Sequence, residues 1–594
     1  MTVHRLKGGV RRVVCSFVLL RRKARGLFER LQGKLAAAAI AVPLCLTVFP
    51  MQAQTYDVVL RNGTIYDGSG SAPLVADVAV SGDKIAEVGS VPANAGRVEL
   101  DVRGLAVVPG FINMLSWACE SLIADGRAQS DVRQGVTLEV MGEGESFGPL
   151  TPAMKEAMQN RQGDLKYMVE WNTLGEYLNH LVRRGVSVNI ASFVGATTVR
   201  IHEIGYSNRR PTQTELERMT GLVKQAMEEG ALGVSSALIY APGCYARTDE
   251  LIALAKVAAA SDGVYISHLR SEGDRLLEAL DEFITIAREA RCRSEIYHFK
   301  VAGQSNWHKL DEALSRIESA RAAGLKITAN MYTYTAAGTG LNATMPTWVQ
   351  EGGFDAWLRR LRDPNIRARL KKEMNQPGKD WENYYLAVGS PQGILLAGFR
   401  NEKLKHLTGL TLAQVAATRK TSPEDTIFDL VLEDGSRVDA VFFLISEENL
   451  RRQLRLPWVS FGSDEAAFMP DGIFLRSMPH PRAYGNFARL LGKYVRDEKL
   501  IPLQEAIHRL TGLPAENLKL DRRGRLQKGF YADVVVFDPA TVQDFATYTQ
   551  PHQYSSGVKH VWVNGVQVIK DGNHTGAKPG RVVRGPGYKG PTPR

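Results

Sequence analysis

GVYISH (residues 263–268) and SEIYHF (residues 294–299) are short apolar runs rich in β-branched and aromatic residues, and each carries a histidine at or beside its end. They read as strands buried on both faces. Six further runs of the same kind lie outward from them: VVPGFINML (107–115), GVTLEVMG (135–142), VSVNIASFVG (186–195), GALGVSSAL (230–238), LKITANMY (325–332) and WVSFGSD (458–464). Helical segments separate most of these runs. In TQTELERMTGLVKQAMEEG (212–230), Thr214 and Glu217 read as a capping box, Leu216, Met219, Val223 and Met227 line one face, and Gly230 closes the helix. Residues 249–260 place Leu251, Leu254, Ala255 and Ala258 on one stripe. Eight strands alternating with helices predict an α/β fold, a (β/α)8 TIM-like barrel rather than an open sheet.

The ends of the chain have a different texture. YDVVLRNGTIYDGSG (56–70) carries Asn62-Gly63, which reads as a hairpin turn, and ADVAVSGDKIAEVG (76–89) repeats the design with Gly82-Asp83. ADVVVFDPATV (532–542) and VKHVWVNGVQVIKDG (558–572), with Asn564-Gly565, resemble them at the other end. Both termini together predict one small β-sandwich. Between the seventh and eighth strands, Tyr334 to Trp458, the gap is too long for a connection and contains β-rich pieces such as IFDLVLEDGSRVDAVFFLI (427–445). It reads as an insertion forming a lid or wall over the barrel mouth. The expected boundaries are a targeting segment at 1–53, sandwich strands at 54–108, the barrel at 109–522 with its insertion at about 350–455, and further sandwich strands at 523–594.

The net charge of +11 does not point to nucleic acid, because residues 1–53 hold ten Lys or Arg against the single acid Glu29, leaving +2 for the rest. That basic stretch is followed by the apolar run LAAAAIAVPLCLTVF (35–49) and by Met51-Gln52-Ala53, the pattern of a cleaved export signal. The run is shorter than the roughly 20 residues of a membrane span. An uncleaved anchor and a start codon assigned too early are the alternatives. Export with cleavage predicts a periplasmic protein with no membrane attachment. Cys15 and Cys45 lie in the segment to be removed, and Cys119, Cys244 and Cys292 are too scattered for a disulfide framework or a CxxC metal site.

Chemistry in such a barrel gathers at the C-terminal ends of the strands. There the fifth strand offers His268, the sixth His298 and the eighth Asp464, while the second runs into Met141-Gly142-Glu143-Gly144-Glu145-Ser146. Two histidines on successive strands, with acids ending two others, form a convergent nitrogen and oxygen set suited to Zn²⁺. Spacing alone leaves the bland alternatives open: core histidines bonded to backbone, a turn-capping Asp464 and a solvated Glu143. No P-loop or dinucleotide fingerprint stands in a strand–turn–helix context.

VVPGF (107–111), QGVT (134–137), YISHLRSE (265–272), YHFK (297–300), MYTY (331–334), GSD (462–464), HPRAYGNFARLLGKYVRDEK (480–499), RGRLQKGFYADVVVFDP (523–539) and VNG (563–565) resemble the N-acyl-D-amino-acid deacylases of the amidohydrolase superfamily. The resemblance covers almost everything from Tyr56 onward. It implies hydrolysis of a linear amide, the N-acyl bond of a D-amino acid, by metal-activated water. It also implies that His268 and His298 are metal ligands, that Glu143 stands where many members have a cysteine ligand (with Glu145 the weaker candidate), and that Asp464 shuttles the proton. Lys300 and Arg482 match positions that hold the substrate carboxylate, and Tyr332 one that helps bind substrate. Other amidohydrolase substrates, cyclic amides or dipeptides, and a non-catalytic binding protein on the same barrel are the rival readings.

One departure is plain. The superfamily carries His-x-His after the first strand, whereas this chain has Leu115 and Trp117 there, in Pro109-Gly110-Phe111-Ile112-Asn113-Met114-Leu115-Ser116-Trp117. Neither side chain binds a metal, and GALGVSSAL offers no lysine for a carboxylated bridge. The expectation is therefore one zinc ion, with Co²⁺ and Mn²⁺ also compatible with the donors.

Overall fold

A computed structural model describes residues 55–590, so the basic N-terminal segment and its apolar run lie outside the described residues. Eight strands line the barrel in order: Phe111–Asn113, Val136–Met141, Asn189–Ser192 continued by Val194–Gly195, Gly233–Ala237, Val264–His268, Arg293–Ile296, Ile327–Met331 and Val459–Phe461. Neighbours pair in parallel, as in Val264–His268 against Gly233–Ala237 and against Arg293–Ile296. The ring closes where the Met114 amide donates to the Phe461 carbonyl at 3.1 Å and Ser116 bridges Glu465 in parallel. Inside, Ile112, Leu115, Leu138, Phe193, Ile266 and Tyr297 pack as one buried cluster, a filled core rather than a pore.

Helices cover the outside for reasons visible in their ends. Thr173 and Glu176 form a capping box for Leu174–Arg184. The helix Gln213–Glu228 starts two residues earlier than its sequence suggested, because Thr212, extended at φ −67° and ψ 164°, is the cap and Glu215 its reciprocal partner. Met219, Val223 and Met227 are its buried face, as expected, and Leu251, Leu254, Ala255 and Ala258 are buried on Thr248–Ala260.

Both chain ends build one nine-stranded sheet, in which Ala106–Pro109 pairs antiparallel with Val534–Phe537. Val78 and Val80 share a buried cluster with Val534 and Trp562, although two and three strands respectively lie between them in the hydrogen-bonded order, so the sheet folds over on itself. The Gly82-Asp83 and Asn564-Gly565 turns lie between paired strands as expected, with Gly82 at φ 56° and Asn564 at φ 49°. Asn62-Gly63 does not turn the chain. The strand Tyr56–Ile65 runs straight through it, with Asn62 at φ 60° in a bulge stabilised by its amide bond to Asp77 Oδ1 at 3.0 Å. A Cβ on Gly63 would come within 2.4 Å of Val107, so a side chain there would break the adjoining pair of strands. The run 107–115 is likewise cut at Gly110: Pro109 ends a strand of the terminal sheet and Phe111 begins the barrel. The last described segment passes beneath the barrel, with the Ile190 amide donating to Arg581 O and the Val583 amide to Ile190 O.

Between the seventh and eighth barrel strands the insertion forms its own antiparallel sheet, ordered Ala337–Gly340, Asp439–Phe442 and Ile394–Gly398. Its core joins Trp357, Leu396, Phe428 and Phe442 to Tyr332 and Tyr334 at the barrel mouth, which makes it a wall of the site. Half of the piece read as β-rich is a helix, Pro423–Asp434. Ser422 caps it, Pro423 stands in its first turn, Glu424 and Asp425 favour its N-terminus, and Gly435 stops it at φ 63°.

Candidate metal centre

Glu143, His268 and His298 are buried, and one ligand atom from each lies within 4.8 Å of the others. His268 is the last residue of its strand. His298 lies two residues past Ile296, in the left-handed region at φ 32°. The Asn330 carboxamide holds it there, accepting from the His298 amide at 2.9 Å while donating to Glu295 at 2.8 Å. Asp464 follows its strand in a similar conformation, φ 52°, fixed by its amide bond to Leu115 O at 2.8 Å. Such conformations cost about 1–3 kcal/mol each and persist where surrounding bonds impose them.

The Glu143 Oε1 atom lies 3.1 Å from His268 Nδ1 and 2.8 Å from His298 Nε2. Burial opposes the Glu143 charge, but the two imidazoles outweigh it and hold the carboxyl well below the usual range. Behind the histidines stands Glu272. Its Oε1 accepts from Lys300 Nζ at 2.6 Å and lies 3.1 Å from His298 Nδ1, and its Oε2 accepts from Tyr384 OH at 2.7 Å. Burial and Lys300 lower the His298 pKa, yet Glu143 and Glu272 prevail and push it up to about 9. His268 Nε2 is buried with no hydrogen-bond partner among the described residues, its nearest carboxylate oxygen being Glu272 Oε2 at 3.6 Å. Two imidazoles, one carboxylate and an unpaired buried ring nitrogen fit a divalent cation.

The other residues singled out in the sequence gather around this triangle. Asp464 Oδ2 meets Arg482 Nη1 at 2.8 Å in an ionic contact, and the guanidinium stacks 4.6 Å above the Tyr332 ring. Tyr332 OH is buried without a partner among the described residues. His480 shapes this corner, accepting the Arg482 amide on Nδ1 at 3.1 Å while its Nε2 bonds Ala336 O at 3.0 Å. Lys300 lies 5.7 Å from the Tyr332 ring centre on the Glu272 side. Glu145 is exposed and stands outside the ligand triangle.

Leu115 and Trp117 have separate fates. Leu115 is fully buried in the barrel core. Trp117 is 43% exposed, yet its indole N–H points inward, donating to Glu143 Oε2 at 3.2 Å and to Asp464 Oδ1 at 3.1 Å. In the sequence Trp117 reads only as a side chain that binds no metal, and Glu272 has no assigned role, although it follows His268 by one helical turn's spacing within YISHLRSE. Tyr384 gave no signal at all, because it comes from the insertion.

Residues 98–569 match the amidohydrolase family. The chain is 32% identical to the D-aminoacylase of Alcaligenes xylosoxydans xylosoxydans over 538 residues, covering 89% of this chain and 98% of that protein. A D-aminoacylase structure studied for a binuclear metal centre, with one-metal activation and second-metal attenuation, superposes with a TM-score of 0.74 at 32% identity, covering 89% of this chain and 100% of that one. The N-acyl-D-glutamate deacylase of Bordetella bronchiseptica, in complex with zinc and a phosphonate mimic of the tetrahedral intermediate, superposes with a TM-score of 0.73 at 28% identity over the same shares. The match spans barrel, insertion and terminal sheet alike, and the chain belongs to the amidohydrolase family.

Proposed function

We propose that the protein is an exported amidohydrolase that uses one zinc ion to remove the acyl group from N-acyl-D-amino acids. The observation that carries this reading is the buried triangle of Glu143, His268 and His298 with Asp464 tethered beside it through Trp117. A divalent ion held by the triangle would supply Lewis acidity for a water and for the amide carbonyl. Asp464 takes the proton of the attacking water and returns it to the leaving nitrogen. Its ionic contact with Arg482 orients the carboxylate for the first of these transfers. Lys300 and Arg482, on either side of Tyr332, receive the substrate carboxylate, and the unpaired Tyr332 hydroxyl supplies a further polar contact. One ion rather than two follows from the Leu115 and Trp117 positions, which offer no imidazole. The D-amino-acid substrate class follows from the D-aminoacylase and the N-acyl-D-glutamate deacylase among the relatives.

Elemental analysis of purified protein, followed by hydrolysis assays on N-acyl-D- and N-acyl-L-amino acids, tests the reading. One zinc per chain and activity on the D series, lost when the substrate carboxylate is esterified, supports it. Activity confined to cyclic amides or dipeptides moves the protein to another branch, and bound ligand without turnover makes it a binding protein. Export is tested separately: mature protein beginning near Gln54 supports it, and soluble protein retaining residues before Leu35 rejects it.

A further inference from the structure

We propose that Trp117 is a positioning residue whose indole N–H does the work of a bridging cation, holding the Glu143 and Asp464 carboxylates in register across the site. The inference rests on the hydrolase reading above and adds to it a residue that supplies no ligand atom. A single N–H is shared between Glu143 Oε2 at 3.2 Å and Asp464 Oδ1 at 3.1 Å, on carboxylates that come from opposite sides of strand one. The other oxygens of both acids are engaged elsewhere: Glu143 Oε1 faces the two imidazoles, and Asp464 Oδ2 faces Arg482. The indole thus divides each carboxylate into a held oxygen and a working one. Without a donor between them, two anionic groups converging on one point would repel and swing apart.

The backbone places the ring on that bisector. The Ser116 amide donates to Val140 O at 2.9 Å, the Trp117 amide to Glu465 O at 3.0 Å, and the Asp464 amide to Leu115 O at 2.8 Å. The segment 115–117 is therefore stitched to strand two on one side and to the strand-eight rim on the other. The N–H is needed rather than the ring alone, since phenylalanine would fill the same space and leave the two carboxylates unbridged.

The test uses the full-length, zinc-loaded protein and its Trp117→Phe variant. Hydrogen bonds to charged groups are strong enough that losing this one lowers kcat about tenfold to a hundredfold. KM stays within about threefold, because the residue touches no substrate atom. Zinc content stays at the wild-type value. In ¹⁵N-indole-labelled wild-type protein, the resonance absent from Trp117→Phe identifies Trp117, and Asp464→Asn shifts it as a charged acceptor becomes neutral. A variant with wild-type kcat overturns the proposal, and so does an indole resonance that Asp464→Asn leaves in place. If Trp117→Phe does not fold, Trp117→His locates the resonance and the Asp464→Asn shift decides. Wild-type protein without bound metal and without hydrolysis overturns the hydrolase reading instead, and the indole shift still reports separately on the bridge.

Discussion

The rim above barrel strands five and six ends in imidazoles, whereas the rim after strand one ends in a leucine and an indole. On the imidazole side the His298 ring is backed by a polar partner, Glu272. Glu272 gathers Lys300, His298 and Tyr384, so the ligand geometry is built into a buried network. On the strand-one side the rim donor is the neutral indole N–H, Leu115 packs into the barrel core, and Asn113 donates to Glu139 and Ser463 at 2.9 Å each. The difference teaches that the two halves of a barrel mouth can hold one carboxylate, Glu143, by unlike means: two imidazoles at one oxygen and an indole N–H at the other.

Breaking the imidazole side has the largest expected effect. His268→Ala or His298→Ala should remove both bound zinc and hydrolysis, read by elemental analysis beside an activity assay. Full metal retention in either variant would mean that the centre lies elsewhere. Next comes Asp464→Asn, which keeps shape and tolerates the left-handed backbone. The expected fall in kcat is about 10²–10⁴ with zinc kept, and near-normal turnover would place the base on another residue. Leu115, packed in the core under the strand-one rim, should respond in stability rather than chemistry. Leu115→Ala should cost about 2–5 kcal/mol of unfolding free energy in denaturant titration, as for other buried leucines, with metal stoichiometry unchanged. A loss of zinc in that variant would erase the contrast between the two halves. The smallest effect on metal content is expected for Glu143→Cys, since thiolate is also a good zinc ligand: metal binding, read by elemental analysis, should persist.

The barrel was legible because eight buried runs carry a signal that does not depend on context, and His268, His298 and Asp464 were legible because they stand at the ends of those runs. What misled were local signals that tertiary structure reinterprets. Asn62-Gly63 has the residues of a hairpin turn, but Asp77 from the neighbouring strand captures the Asn62 amide and turns it into a bulge. IFDLVLED alternates enough to suggest a strand, yet Ser422 and Pro423 just upstream commit it to a helix. Glu272 carries only its spacing from His268, and Tyr384 was illegible for a different reason, as their partnership joins the barrel to the insertion. Trp117 reads in the sequence only as a side chain that binds no metal, and the geometry reveals that its indole N–H carries the contact.

The segment under strands three and four has a consequence in time as well as space. Arg581 and Val583 pair with Ile190, and Val583 belongs to the cluster that fills the barrel interior, so the floor is supplied by residues made long after the strand they seal. Strands made early must wait, unsealed from below, until residues 581–583 have been made. A chain truncated before residue 580, or one whose C-terminus is held in a tether, is left with apolar barrel interior open to water and so prone to aggregate.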